Sequence, residues 1–187
     1  MNNKPFLEGN KIILRPVELR DAEFLAYCYN SPDTRPTFFT NYPTNSLRQE
    51  EIIKNLYKDY RDYVPFIICE KESGREVGVT ALHRIDGVGG VATFSIIIPD
   101  SDDWGKKFGS EATEMMVAYG FEILNFHRIQ LHVYAKNTRG VKAYERAGFV
   151  KEGVLRQAMY HNNEYCDFYV MAVLRDEYYQ RKKILGS

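Results

Sequence analysis

Neither charge is in excess in this chain: lysine and arginine total 25, aspartate and glutamate total 25, and the net charge is zero over 187 residues. That balance argues against a large basic face, so neither nucleic acid nor a membrane surface is expected as a partner. Cysteine is scarce. Cys28, Cys69 and Cys166 stand far apart and are odd in number, which gives neither a disulfide framework nor metal-ligand spacing. Met1 to Asn10 is polar, no secretory leader is expected, and the thiols are read as reduced and buried in a cytoplasmic protein. No stretch approaches the roughly 18 apolar residues that a membrane-spanning helix needs. His83, His127, His132 and His161 form no metal motif, so no metal is expected. Linkers, repeats and low-complexity segments are also missing, and residues 1–187 read as one domain long enough for a substantial core.

What is present is an ordinary globular mixture, 44% hydrophobic and 27% charged, with 14 Tyr and 11 Phe to share between core and any ligand groove. Alternation predicts strands over Lys11–Pro16, Phe66–Glu70, Glu76–Asp86 and Val91–Pro99, the last three joined by tight turns as an antiparallel meander. A short helix is predicted over Leu19–Asn30, and an aromatic loop over Thr34–Asn45. A further helix is predicted from a capping box at Ser46 and Gln49 to about Tyr63. Ala112, Met115, Met116, Tyr119 and Ile123 recur at helical spacing in a helix from Gly109 to about Asn125. A strand over Arg128–Ala135 follows, which makes a parallel crossover with the strand before that helix. Thr138–Ala147 is a short helix ended by Gly148. Phe149–Met159 and Tyr165–Leu174 are strands around His161–Glu164, and Asp176–Ile184 is a terminal helix. The fold class is mixed α/β, with about seven strands and four or five helices.

Two blocks carry the functional signal. The first is Trp104-Gly105-Lys106-Lys107-Phe108-Gly109-Ser110-Glu111-Ala112, between a strand and a helix. A glycine turn that opens a helix presents unpaired N–H groups, which with the helix dipole suit a phosphate or pyrophosphate. It is neither a Walker loop nor a dinucleotide fingerprint. On the residues alone it is equally a structural turn with a solvated lysine pair. The second block is Asn137-Thr138-Arg139-Gly140-Val141-Lys142-Ala143-Tyr144-Glu145-Arg146-Ala147-Gly148-Phe149.

Both blocks, in this order, resemble the GNAT superfamily of acetyl-CoA-dependent N-acetyltransferases, in particular the branch of ribosomal-protein alanine N-acetyltransferases. Leu14-Arg15-Pro16, Glu152-Gly153-Val154-Leu155-Arg156 and Leu174-Arg175-Asp176-Glu177-Tyr178 extend the likeness over about Lys11 to Tyr178. The resemblance implies a mostly antiparallel sheet in which the strands Ala92–Ile98 and Arg128–Ala135 lie parallel and then splay. Pantetheine would lie in the gap against the backbone of Ile96, Ile97 and Ile98. The remaining coenzyme A contacts it implies are Trp104, Gly105, Lys106, Lys107, Phe108, Gly109, Ser110, Asn137 and Lys142. Tyr144 becomes the proton donor to the departing thiolate. By spacing alone it is one member of a Val141, Tyr144, Ala147 stripe. Asn137 alone reads as a helix cap. Lys142 and Arg139 are phosphate ligands or ordinary solvated charges.

The family pattern is broken in two places. A glutamate base often stands on the strand before the turn, where this chain has Thr93; His83, Ser95, His132, Glu164 or a water chain are the conceivable substitutes. Lys107 stands where many relatives have a second glycine. The aromatic loop Thr34 to Tyr42 and the His161–Glu164 turn would form the acceptor site, with Phe38, Phe39 and Tyr42 lining it or else sealing the core under a loop. The expected activity is acetyl transfer from acetyl-CoA to a primary amine, either a protein N-terminus or a small molecule, by direct attack in a ternary complex. A non-catalytic acyl-CoA sensor is the alternative that the absent glutamate leaves open. The family also allows a homodimer.

Overall fold

The structure is a computed structural model that describes residues 5–38, 40–56, 62–161 and 163–186. Eight strands form one sheet: β1 (Leu7–Glu8), β2 (Ile12–Pro16), β3 (Tyr63–Glu70), β4 (Glu76–Asp86), β5 (Val91–Ile97), β6 (Arg128–Tyr134), β7 (Val150–His161) and β8 (Glu164–Leu174). Their order is β1-β2-β3-β4-β5-β6-β8-β7. Every neighbouring pair is antiparallel except β5 and β6, which are parallel. The helices among the described residues are α1 (Ala22–Asn30), the single turn α2 (Arg35–Phe38), α3 (Ser46–Leu56), α4 (Phe108–Ala118), α5 (Thr138–Arg146) and α6 (Arg175–Leu185).

Strand alternation sorts the core into two layers. Ala92 and Phe94 of β5 and Ile129, Leu131 and Val133 of β6 pack with Phe108, Ala112, Met116 and Val117 of α4. Val79 of β4 and Ile97 of β5 pack on the opposite face with Leu25 and Cys28 of α1 and Ile53 of α3. All three cysteines are free and buried.

Four expectations change. The strand Leu7–Glu8 adds an eighth to the sheet by pairing with β2. The helix from Ser46 does not reach Tyr63, which begins β3. Its cap is not Ser46 but Asn45, whose Oδ1 accepts from Arg48 N at 2.9 Å, while Gln49 donates to Thr44 Oγ1 at 2.9 Å instead of closing a box. The aromatic loop contains the turn α2. The long helix expected from Gly109 widens after Ala118, where Tyr119–Ile123 is a π turn. The extra residue per turn rotates Ile123 out of the buried stripe and exposes it.

Arg15 lies in the middle of this fold, 2% exposed on β2. Its guanidinium forks onto Asp21, itself 2% exposed, through two hydrogen bonds of 2.8 Å, and reaches Glu76 at 2.9 Å. Asp21 Oδ2 also accepts from Glu18 N at 2.7 Å, which ties β2 to the entry of α1. A buried charge that loses its partner is far more costly than an exposed one. Asp21→Ala is therefore expected to destabilise the protein by about 3–5 kcal/mol, measured by urea denaturation.

Candidate active site

The parallel pairing of β5 and β6 lasts for only three residue pairs, Val91–Arg128, Ala92–Ile129 and Thr93–Gln130. Beyond it β5 stays with β4 as far as Ile97–Val79, and β6 stays with β8 as far as Tyr134–Phe168. The two half-sheets part, and a cleft of about 300 Å³ opens between them. Ile96, Ile97 and Ile98 line one wall, Asn137 and Tyr144 the other, and the start of α4 closes one end.

The start of α4 is rich in free donors. Among the described residues the six backbone N–H groups from Gly105 to Ser110 donate to nothing; Trp104 N is bonded to Ser101 O, and Glu111 N to Lys107 O. Gly105 (φ 83°) and Lys107 (φ 74°) are both left-handed, which turns the chain so that these amides fan out ahead of the helix. A pyrophosphate fits this cradle, because it meets a row of donors at the positive end of a helix dipole. Asp103, 3% exposed, anchors the turn: Arg75 forks onto it through two 2.8 Å bonds, and Lys106 Nζ reaches it at 2.9 Å. The Arg75 hydrogen bonds hold the Asp103 carboxyl below its ordinary range.

Trp104 spans the mouth. Its indole N–H donates to Ile98 O at 3.0 Å, and the Arg139 guanidinium stacks 3.3 Å from the centre of its ring. Asn137 caps α5, its Oδ1 accepting from Gly140 N at 3.0 Å. Gly148 (φ 100°) ends that helix in the left-handed conformation that glycine suits. Tyr144 is half-buried, edge-on to Phe94 at 6.2 Å and to Phe149 at 6.0 Å. Its hydroxyl makes no hydrogen bond among the described residues, and burial pushes its pKa up to about 12 against the opposing charge of Arg139.

Of the residues singled out from sequence, Ile96, Ile97, Ile98, Trp104, Gly105, Lys107, Phe108, Gly109, Ser110, Asn137, Tyr144 and Phe38 line this one cleft. Lys106 does not line it, because its ammonium is held by Asp103, although its backbone N–H belongs to the donor row. Lys142 points to solvent from α5. Tyr42 lines a separate pocket with Tyr29, Tyr63 and Arg48, between α1, α3 and the sheet. Phe39 lies outside the described residues. Thr34 and Thr37, within the loop expected to form the acceptor site, also line the cleft from the segment around α2; sequence reasoning missed their neighbour Asp33, which no motif marks. It also missed Asp103, whose partner Arg75 is distant in the chain.

Splayed strands, an amide cradle and an unengaged tyrosine here share one cleft. The acetyltransferase (GNAT) domain matches residues 11–150, and the chain belongs to that family. It is an acetyl-CoA-dependent N-acetyltransferase. The uncharacterised N-acetyltransferase p20 of Bacillus licheniformis is 30% identical, over 92% of this chain and 97% of its own. The spermidine N(1)-acetyltransferase of Vibrio cholerae is 29% identical, over 94% of this chain and 99% of its own. A crystal structure of the Vibrio cholerae spermidine N-acetyltransferase in complex with CoA and spermine superposes with a TM-score of 0.82, at 29% identity, covering 91% of this chain and 99% of that one. No helix of the described residues is long and apolar enough to cross a membrane, and no group of three or more His, Cys, Asp or Glu among them is placed to hold a metal ion.

Two outcomes follow from the turn. A left-handed lysine carries a backbone cost that glycine does not, so Lys107→Gly is expected to raise stability by about 1 kcal/mol, read from the denaturation midpoint. Asp103 is held below its unfolded value, so its contribution is complete above that value, near 3.9, and fades as the pH falls through the folded one. The stability gap between the wild type and Asp103→Asn is expected to shrink as the pH falls from about 5 to about 3.

Proposed function

We propose that the protein transfers the acetyl group of acetyl-CoA to the primary amine of a small molecule, by direct attack while both substrates are bound. The observation that carries this is the row of free amides from Gly105 to Ser110, opening onto the gap between β5 and β6. The cradle takes the pyrophosphate, with Trp104, Phe108, Gly109 and Ser110 around it. The unpaired edges of Ile96 to Ile98 offer backbone groups to pantetheine, and Asn137 adds a side-chain amide. These contacts place the thioester within the cleft that Tyr144 lines. Tyr144 then gives its proton to the departing thiolate. A phenol with its pKa near 12 is protonated throughout the working range, and the burial that keeps it so also penalises a free thiolate, so its proton passes to sulfur as the C–S bond breaks.

A small amine is favoured over a protein N-terminus by the approach to the cleft. Asp33 and Phe38 line it together, a carboxylate and an aromatic ring, which is a pairing suited to an ammonium-bearing chain. The relatives named as spermidine acetyltransferases support the same class. A protein N-terminus as acceptor would instead need an open trough for the following residues.

The test has two stages. Calorimetry with acetyl-CoA, coenzyme A and ATP is expected to give micromolar binding of both CoA species and much weaker binding of ATP. Thiol release is then followed with polyamines, simple primary amines and peptides bearing a free N-terminus. Tyr144→Phe is expected to lower kcat about 100-fold while leaving acetyl-CoA affinity nearly unchanged. Turnover confined to the peptides would overturn the small-amine reading.

A further inference from the structure

The strand position where a carboxylate base would stand holds Thr93, buried and unable to accept a proton at neutral pH. Register identifies what lies beside it. Tyr63 pairs with His83, His83 with Thr93, and Thr93 with Gln130, so these four side chains form one row across β3, β4, β5 and β6. Registered neighbours project from the same face. That face is the one turned to α1 and α3, because Val79 and Ile97, in phase with His83 and Thr93, pack there. The row is also the last one before the half-sheets part: Thr93–Gln130 is the final β5–β6 pair. His83 therefore stands one strand from the point where the half-sheets part, on the face turned to α1 and α3.

Resting on the acetyl-transfer reading above, we propose that His83 is the general base, one strand removed from the position of the missing carboxylate, and that it takes the proton of the acceptor's ammonium across the side of Thr93. Its imidazole is half-buried and makes no hydrogen bond among the described residues. Among the described residues its ring contact is with Tyr63, at 6.3 Å, which braces it from the side away from β5. The groups near it are Tyr63 from β3, Thr93 from β5 and His132 from β6, with Arg84 next to it in sequence on its own strand. Burial lowers its pKa, and the charges of Arg84 and His132 add to that, so it is neutral when an amine must be deprotonated. The other titratable groups nearby are less suited. Glu164 is committed to Lys136 at 2.5 Å, and His132 is exposed to solvent.

The step balances. His83 accepts one proton from the ammonium. The freed nitrogen pair attacks the thioester carbon, forming C–N while the carbonyl π pair moves to oxygen. That pair returns, the C–S bond breaks, and the sulfur leaves with its electrons and takes the phenolic proton of Tyr144. The acylated nitrogen sheds its second proton, which restores Tyr144 through water, and the proton on His83 passes to solvent. One proton is released per amide formed.

The experiment is the pH profile of kcat for the wild type, His83→Gln, His83→Ala with and without added imidazole, and His132→Gln, each with two amines of different pKa. Calorimetric binding of coenzyme A to every variant checks that the site is intact. His83→Gln is expected to lose about 100-fold in kcat near neutral pH with coenzyme A affinity kept. That loss should shrink as the pH approaches the pKa of the amine, and imidazole should restore part of the rate of His83→Ala. Wild-type kcat in His83→Gln would overturn the proposal. So would a loss that is constant across pH and untouched by imidazole, or an acid limb that moves in His132→Gln and not in His83→Gln. A wild type that binds coenzyme A but acetylates no amine would overturn the transfer reading itself, and this one with it.

Discussion

The whole site depends on one interrupted pairing. β5 and β6 share three residue pairs and then separate, while each keeps its other neighbour to the end. A strand edge left without a partner exposes N–H and C=O groups that must be satisfied by water or by a ligand. Here that edge faces a cleft with a second, equally unpaired edge opposite. An extended molecule with amide groups of its own can enter as a substitute strand and complete both. The pantetheine arm of coenzyme A is such a molecule. The split also joins the two faces of the sheet at one point: a group bound in the gap is open to α4 and α5 on one side and to the α1 and α3 layer on the other. Two substrates can then meet there from opposite sides, as direct transfer requires.

Fixed geometry on the cofactor side comes from a turn that is expensive to hold. Lys107 occupies the left-handed region, and Gly105 does so two residues earlier. Nothing local favours the lysine conformation. The turn persists because Asp103 beneath it is clamped by Arg75 from the loop after β3 and by Lys106 from the turn itself, and because the Trp104 indole is tied to Ile98 O. Strain accepted at a site and offset by surrounding hydrogen bonds leaves donors preorganised, so little order is lost when phosphate binds. The Arg139–Trp104 stack joins α5, the helix bearing Tyr144, to the same turn.

Most of this was readable from residues in sequence order, and the exceptions have physical reasons. The meander, the crossover, the glycine at the end of α5 and the Asn137 cap are local signals, and each appears as expected. The cap of α3 was misplaced by one residue because Asn45 and Ser46 are both good caps, and only the backbone decides which side chain meets Arg48 N. Ile123 was placed inside because a 3.6-residue period was continued through a π turn that has no composition signature. Lys106 was assigned to the cofactor by the family likeness, yet Asp103 holds its ammonium, and a contact between Asp103 and the distant Arg75 cannot be read from spacing at all. Asp33 reaches the cleft through the packing of α2, again a long-range outcome.

The absent strand carboxylate is also a question of register. An acceptor amine with a pKa near 10 is neutral to about one part in a thousand at pH 7, which amounts to about 4 kcal/mol of unfavourable preparation before attack. No base removes that equilibrium cost, but one nearby gives the proton a path that does not require solvent to enter the cleft. Such a base needs the right face of the sheet, the right row and an uncharged form. Adjacent strands lie about 4.8 Å apart, so a group moved one strand along the same row stays within reach of a long side chain or a single bridging water. Thr93 and His83 satisfy this together: the small residue leaves room at the edge of the gap, and the imidazole behind it fills the depth a glutamate would have used. A sequence scan for a carboxylate on one strand finds nothing there, because the functional unit is a cross-strand pair that exists only once β4 and β5 have met.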